Sequence, residues 1–254
     1  MTGSAACRSQ LRKPSDLWGR PEKGSGMAQR KVLGIDLACR SWADNGTAVL
    51  SFEAGDAPVW SECHSGVIQW PAAPLHPRAM ALALDEFVVK NGISAVSLDG
   101  PQGWRDPNAG NRRGVGRWCE YEARTPGKTG EFRTTYPRNY LGWVSFSIDV
   151  FRELDALGRA TLVNDPDLQA ELPWLDAGRY YILECFPTST WRASGLDPLP
   201  GHRRAPQNVV QNYAGLLQGR YDLPAGAITN HHDNLQAIVA PQSLGALARP
   251  LGGV

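Results

Sequence analysis

Three separate apolar runs in this chain end the same way. "KVLGIDLA" reaches Asp36, "ISAVSLDGP" reaches Asp99 and "YYILECFP" reaches Glu184. A short, nearly continuous apolar run predicts a strand covered on both faces. A charge inside such a run must be solvated or partnered, because an unpaired buried carboxylate is costly enough to favour its own protonation. Taken singly, each acid reads as a solvated strand end. Taken together they predict more, because the carboxyl ends of parallel strands in an open sheet converge on one crevice. Three ionised acids there would repel one another and raise one another's proton affinity, and a divalent cation is the usual relief. A carboxylate cluster without His or Cys suits hard Mg²⁺ or Mn²⁺ better than zinc. Asp36, Asp99 and Glu184 are thus the expected metal ligands.

The segments between these runs predict how the strands connect. "GTAVLSFE" and "PVWSECHSG" follow the first run at hairpin spacing, separated by the turn-forming "AGDAP", so the first three strands form an antiparallel meander. Pro77 to Asn91 places Met80, Leu84, Phe87 and Val88 on one helical face and stops at Gly92, a helix-ending residue. A strand, a crossover helix and a second buried strand require parallel pairing through a right-handed connection. Val144 to Leu157 carries Val144, Ile148, Phe151 and Leu154 in phase ahead of Gly158 and the third buried run, in which Phe186-Pro187 reads as the turn that stops the strand. Two further helices are expected at Gln207 to Gln218, with Val209, Tyr213, Leu216 and Leu217 in phase, and from Asn230 to about Ala240, before Pro241. The fold class is therefore α/β, a mixed five-strand sheet with three antiparallel strands plus two parallel to the first, flanked by helices.

Composition narrows the class. With 254 residues, 42% of them hydrophobic, the chain has ample material for a core, and 26 basic against 25 acidic residues leave no global polyanion-binding signature. Any affinity for phosphates must be local. The five cysteines are odd in number and form no C-x-x-C pair, which argues against a disulfide framework or a zinc ribbon and makes a reducing, cytoplasmic location the expectation. No apolar stretch approaches the ~20 residues of a membrane span. Residues 1 to 30 are polar, rich in Gly, Ser, Arg and Lys and without period, so they are expected to form a disordered leader ahead of a single domain over residues 31 to 254.

Local charge is found after Asp99. From Gln102 to Tyr140 the chain carries eight basic residues (Arg105, Arg112, Arg113, Arg117, Arg124, Lys128, Arg133, Arg138) against four acidic ones, with Trp104, Trp118, Tyr121, Phe132, Tyr136 and Tyr140 interleaved. Cations meet phosphates and aromatics stack on bases, so this pattern suits a nucleic-acid strand; the alternative is a solvated loop whose aromatics pack on the sheet. A fourth acid, Asp233, sits in the last helix beside His231 and His232, which are placed for proton transfer.

The order "GIDLA", "SLDGPQGW", "RWCEYEAR", "ILECFPTSTWRASGL" and "HHDNLQAIVA", spread from about Lys31 to Ala240, resembles the ribonuclease-H-like nucleases of domain-of-unknown-function family 429. The resemblance implies acidic-site roles for Asp36, Asp99 and Glu184, and it singles out Arg117, Glu120 and Arg124, with Glu120 where the family has Asp. The family's last helix carries an Asp where Gln236 stands here; Asp233 lies three residues earlier on nearly the same helical face, so the two compete for the fourth acid position. Measured against the family, the C-terminus looks shortened.

Four acids with Mg²⁺ or Mn²⁺ are the apparatus of two-metal phosphodiester hydrolysis, in which ions ~4 Å apart activate water and stabilise the leaving oxygen. The expected activity is metal-dependent hydrolysis of nucleic acid, with Asp36, Asp99, Glu184 and Asp233 as catalytic residues and Arg112, Arg113, Arg117, Glu120 and Arg124 at the substrate. One rival is a catalytically silent nucleic-acid-binding or regulatory module, favoured if Asp233 falls short of the cluster. Another is an ATP-using enzyme of the actin and sugar-kinase type. That class needs a Gly- and Thr-rich phosphate loop after the first strand, where this chain has "DLACRSWADNG".

Overall fold

The computed structural model describes residues 29–53, 59–108, 114–163, 175–221, 228 and 230–241. Its main sheet contains β1 (Gln29–Asp36), β2 (Gly46–Glu53), β3 (Val59–Ser65), β4 (Ala95–Asp99), β7 (Ala160–Leu162) and β8 (Tyr180–Cys185), while β5 (Lys128–Thr129) and β6 (Thr135–Tyr136) pair as a separate small hairpin. The strand order is β3-β2-β1-β4-β8-β7. The first three strands pair antiparallel, and β4, β8 and β7 run parallel to β1. This is the mixed α/β sheet expected from the sequence, with one strand more. The extra strand, β7, is only three residues long and sits at the sheet edge, too short to produce a period of two. The first strand also begins earlier than expected, since Gln29 and Arg30 pair with Glu53 and Phe52. The rest of the expected leader, and the chain beyond residue 241, lie outside the described residues.

Among the described residues, five helices cover the two faces. On one face lie α1 (Pro77–Asn91) and α3 (Leu141–Ala156), whose Met80, Leu84, Phe151 and Leu154 bury against Leu33, Ile35, Leu98 and Ile182. Full burial of such side chains is worth about 1.5–3 kcal/mol each. Gly92 ends α1 with φ 62°, the left-handed conformation that glycine adopts without steric cost. Asp85 is buried in this layer without being orphaned, because Arg159 and the Tyr180 hydroxyl both donate to it.

On the opposite face lie α4 (Pro187–Ala193), α5 (Gln207–Tyr221) and α6 (His232–Val239), packed through Trp191, Val210, Leu217, Leu235 and Ile238 onto Ala48 and Leu50. The short α2 (Trp118–Glu122) belongs to the irregular segment after β4. Two expectations change here. Pro187 does stop β8, but as the first residue of α4, a position where its missing N–H costs nothing. In α5 the buried stripe is Val210, Ala214 and Leu217, one residue out of the expected phase, and Leu216 is exposed.

The closest approach between helix and sheet is made by α6. A Cβ on Gly34 would lie 2.0 Å from the Ala237 carbonyl oxygen, and one on Gly46 would lie 2.0 Å from that of Asp233. The Asn234 side-chain oxygen accepts from the Thr47 N–H at 3.0 Å, and Ser97 Oγ donates to the Ala240 carbonyl at 3.0 Å. With glycine at both positions, α6 rests directly on the backbone of β1 and β2. Gly46→Ala is expected to force α6 off the sheet and destabilise the protein by about 2–3 kcal/mol, the cost of overpacking a filled interior. Denaturant unfolding measures it, and an unchanged midpoint would mean that α6 is not seated this closely.

Candidate functional site

Register decides which strand-end acids meet. Asp36 of β1 is paired with Asp99 of β4, so both side chains leave the sheet on the same face. That face is the one α6 covers. From the helix side, Asp233 comes near enough to Asp36 that its charge, like that of Asp99, acts on the Asp36 carboxyl. Three acids from β1, β4 and α6 thereby share one site, although they are 63 and 134 residues apart along the chain.

Glu184 does not join them face to face. In the β4–β8 ladder its partner is Leu98, while Cys185 is the residue opposite Asp99. Side chains alternate along a strand, so a one-residue offset sends Glu184 to the α1/α3 side and leaves Cys185 on the aspartate side. There it meets Arg117, which donates from Nη1 to Glu184 Oε2 at 2.7 Å and from Nη2 to Oε1, while the Gln102 N–H donates to Oε2 at 3.1 Å. The same guanidinium donates to Glu120 Oε1, from Nε at 3.1 Å and Nη2 at 2.8 Å, and the Thr129 N–H reaches Glu120 Oε2 at 2.8 Å. Glu184 and Arg117, expected to serve a metal and a phosphate respectively, are thus joined to each other. Glu120, expected at the substrate, is a buried brace for Arg117.

The remaining expected residues divide as follows. Arg124 is exposed, and its backbone has φ 51°. Arg112 and Arg113 lie outside the described residues. Gln236 is turned away from the acids and accepts a hydrogen bond from Trp191 Nε1 at 2.8 Å, so Asp233 is the α6 residue that reaches the cluster. His231 is exposed. The sequence reading missed His202, whose Nε2 contacts Asp233 Oδ1. It stands in an irregular turn 31 residues before Asp233, where no period or motif marks it.

Proton affinities follow this geometry. Burial, then the charges of Asp99 and Asp233, push the Asp36 carboxyl well above the ordinary carboxylate range. Burial also raises Asp99, to about 7, with the hydrogen bond from Asp36 opposing and the charge of Glu184 adding to the rise. Asp36 therefore holds the shared proton. Asp233 behaves oppositely: burial would raise it, but hydrogen bonding from His232 and the charge and hydrogen bond of His202 hold it below the usual range. Glu184 is raised by burial, with Arg117 opposing.

Beside the acids opens a cavity of about 460 Å³, lined among others by Asp99, Arg117, Lys128, Tyr140, Trp143 and Phe186. Trp143 is fixed in its wall by donating from Nε1 to the Leu37 carbonyl at 2.7 Å. In the segment after β4, Trp118, Phe132 and Tyr136 are exposed, with the Arg133 guanidinium 5.3 Å over the Phe132 ring and Trp104 edge-on to that ring at 5.8 Å. Tyr140 of the expected aromatic set instead lines the cavity, meeting Trp143 at 6.2 Å.

No protein-family model matches the sequence, and no curated protein matches it, so the kinship with family 429 is not confirmed. Four chains of solved structures match. The Thermus thermophilus RuvC structure is 14% identical, with a TM-score of 0.39 over 85% of this chain and 95% of that one. T. thermophilus RuvC in complex with Holliday junction substrate is 11% identical, with a TM-score of 0.36 over 86% of this chain and 91% of that one. These likenesses are too slight to carry an argument, and the fold stands on its own strand order. Among the described residues no helix is long and apolar enough to cross a membrane.

Two variants test the site's electrostatics. The raised proton affinities of Asp36 and Asp99 mean that the folded state binds protons more tightly than the unfolded one. Without metal, the stability these two groups contribute is therefore full below the unfolded carboxylate value near 4 and is lost as pH rises towards 7 and beyond. Asp36→Asn, in the presence of chelator, is expected to raise Tm by roughly 3–10 °C at pH 8 and by nothing near pH 4. Calorimetry at the two pH values measures this, and an equal effect at both would contradict a proton-sharing cluster. Arg117→Ala leaves Glu120 and Glu184 buried without their cation and is expected to cost about 3–5 kcal/mol in urea unfolding. A loss under about 1 kcal/mol, the worth of an exposed ion pair, would show that the pair is solvated.

Proposed function

We propose that the protein is a divalent-metal-dependent phosphodiesterase acting on nucleic acid. The observation that carries this reading is the pairing of Asp36 with Asp99 at the carboxyl ends of parallel strands, with Asp233 of α6 close enough that its charge acts on Asp36. Carboxylates gathered in this way form a donor set suited to a hard cation, and Mg²⁺ or Mn²⁺ fits them. Asp36, Asp99 and Asp233 are the residues that would hold it. Glu184, also an expected ligand, lines the same cavity as Asp99 and fixes Arg117 at its edge. A bound Mg²⁺ or Mn²⁺ supplies positive charge against the phosphate and makes water easier to deprotonate.

The chain's own residues supply the rest. In the metal-free site Asp36 holds the proton that it shares with Asp99, and it would give that proton up to a bound cation. Arg117, held by two carboxylates, lines the cavity beside Asp99. Exposed Arg124, Arg133 and Arg138 suit phosphates, and exposed Trp118, Phe132 and Tyr136 suit unpaired bases. The cavity beside Asp99, walled by Tyr140 and Trp143, has the chemistry for one such base. A silent binding module loses its main motivation, because Asp233 does reach Asp36.

The test is cleavage of single-stranded, duplex and hybrid substrates with Mg²⁺ or Mn²⁺. Wild-type protein is expected to cut at least one of them, and Asp36→Asn to be slower by about 100-fold or more, the scale of losing one electrostatic stabiliser. Equal rates for the two proteins, or cleavage that survives chelator, would end the assignment.

A further inference from the structure

Around Asp233 the structure gathers side chains that the aspartate reading leaves unused. His202, on the 3-10 turn His202–Arg204, brings Nε2 onto Asp233 Oδ1. His232, the first residue of α6, places Nδ1 2.9 Å from the same oxygen. One ligand atom from each of His202, His232 and Asp233 lies within 4.8 Å of the others, and the two imidazole rings are 4.0 Å apart.

Two features set this group apart from an incidental ion pair. His232 Nε2 lies 2.8 Å from the Pro200 carbonyl oxygen, which only accepts, so Nε2 keeps its N–H, while Nδ1, which donates to Asp233 in the metal-free protein, is the nitrogen a cation would take by displacing its proton. A metal-bound imidazole is held in this way, its second N–H fixed by a backbone carbonyl or a carboxylate. The second feature is access. His232 and Asp233 are buried, whereas the side chain of His202 is 63% exposed on its turn, so an ion can enter past it and water can complete the coordination.

We propose that His202, His232 and Asp233 form a site for a first-row transition cation, of the Zn²⁺, Co²⁺ or Mn²⁺ class, that shares Asp233 with the aspartate cluster. Two imidazoles and one carboxylate favour such ions over Mg²⁺, which prefers oxygen donors throughout. Ligands about 2.1 Å from a common ion stand roughly 3–4 Å apart, so a modest rotation of His202 on its exposed turn opens the present contacts to that spacing. Ion binding here is independent of the nuclease reading. That the ion would be one of a catalytic pair rests on it, and the pair would then be unequal, with an oxygen-rich position at Asp36 and Asp99 and a nitrogen-bearing one at His202 and His232.

The experiment uses the full chain without a histidine tag, stripped with chelator and titrated with Co²⁺ at pH 7.5 while its visible absorption is followed. Wild type is expected to bind one equivalent with the spectrum of nitrogen- and oxygen-ligated Co²⁺, in the presence of excess Mg²⁺. His202→Ala is expected to bind about tenfold or more weakly while its far-ultraviolet circular dichroism matches that of wild type. His231→Ala, which removes an exposed histidine outside the group, is expected to titrate as wild type does. Wild-type protein without Co²⁺ affinity, a His202→Ala variant that binds like wild type, or loss of the band in His231→Ala would each overturn the proposal. Co²⁺ binding with no cleavage of any nucleic acid would retire the nuclease reading and leave this site in place.

Discussion

The whole arrangement depends on how closely α6 lies on the sheet. Gly34 and Gly46 present bare backbone, and the helix fills the space with its own carbonyl groups at a separation that no Cβ would permit. Its ends are held by different bonds, Asn234 to Thr47 near the start and Ser97 to Ala240 at the close. Seated in this way, α6 delivers Asp233 to Asp36 from above the sheet. The acid cluster is therefore a consequence of packing as much as of the strand ends that contribute two of its members.

Burial gives those acids their character. A carboxylate removed from water needs a counter-charge, and two solutions stand side by side in this protein. Glu120 and Glu184 share one guanidinium, and hydrogen bonds from Arg117 and from backbone N–H groups hold the three-residue network together. Asp36 and Asp99 have no such cation and share a proton instead. Buried pairs of the first kind make fixed structure, because breaking one leaves an uncompensated charge. Groups of the second kind exchange their proton for a metal ion, and perturbed acids in a cleft are where chemistry is to be sought.

Asp233 belongs to neither class, since imidazoles from a turn and from its own helix compensate it. That neighbour set alters the chemistry inferred from the acids alone. A cluster without His or Cys points only to hard cations, and the histidines beside Asp233 add a softer position at its rim. Cys185 adds to the contrast. It faces the aspartates across the ladder, and burial with their negative charge pushes its thiol well above the ordinary range, so it stays a neutral packing residue.

Much of the fold was legible in order. Apolar runs of period two or none, and helical stripes such as that of Val144, Ile148, Phe151 and Leu154, are local signals, and each appeared as the element it predicted. β7 was not legible because three residues hold no period, and α5 was read one residue out of phase because its stripe is weak. Asp36 and Asp99 were legible as acids closing buried strands. The face that Glu184 would take was not, because an offset of one residue in the β4–β8 ladder is set by how the strands pair and not by anything within the strand. Nor was His202, which reaches Asp233 only after the chain has crossed α5. The sequence by itself thus determined which strands exist and that they end in charge, since burial and periodicity are written along the chain. Only the tertiary structure decided which charges meet, because register and the approach of α6 depend on contacts between residues far apart in sequence.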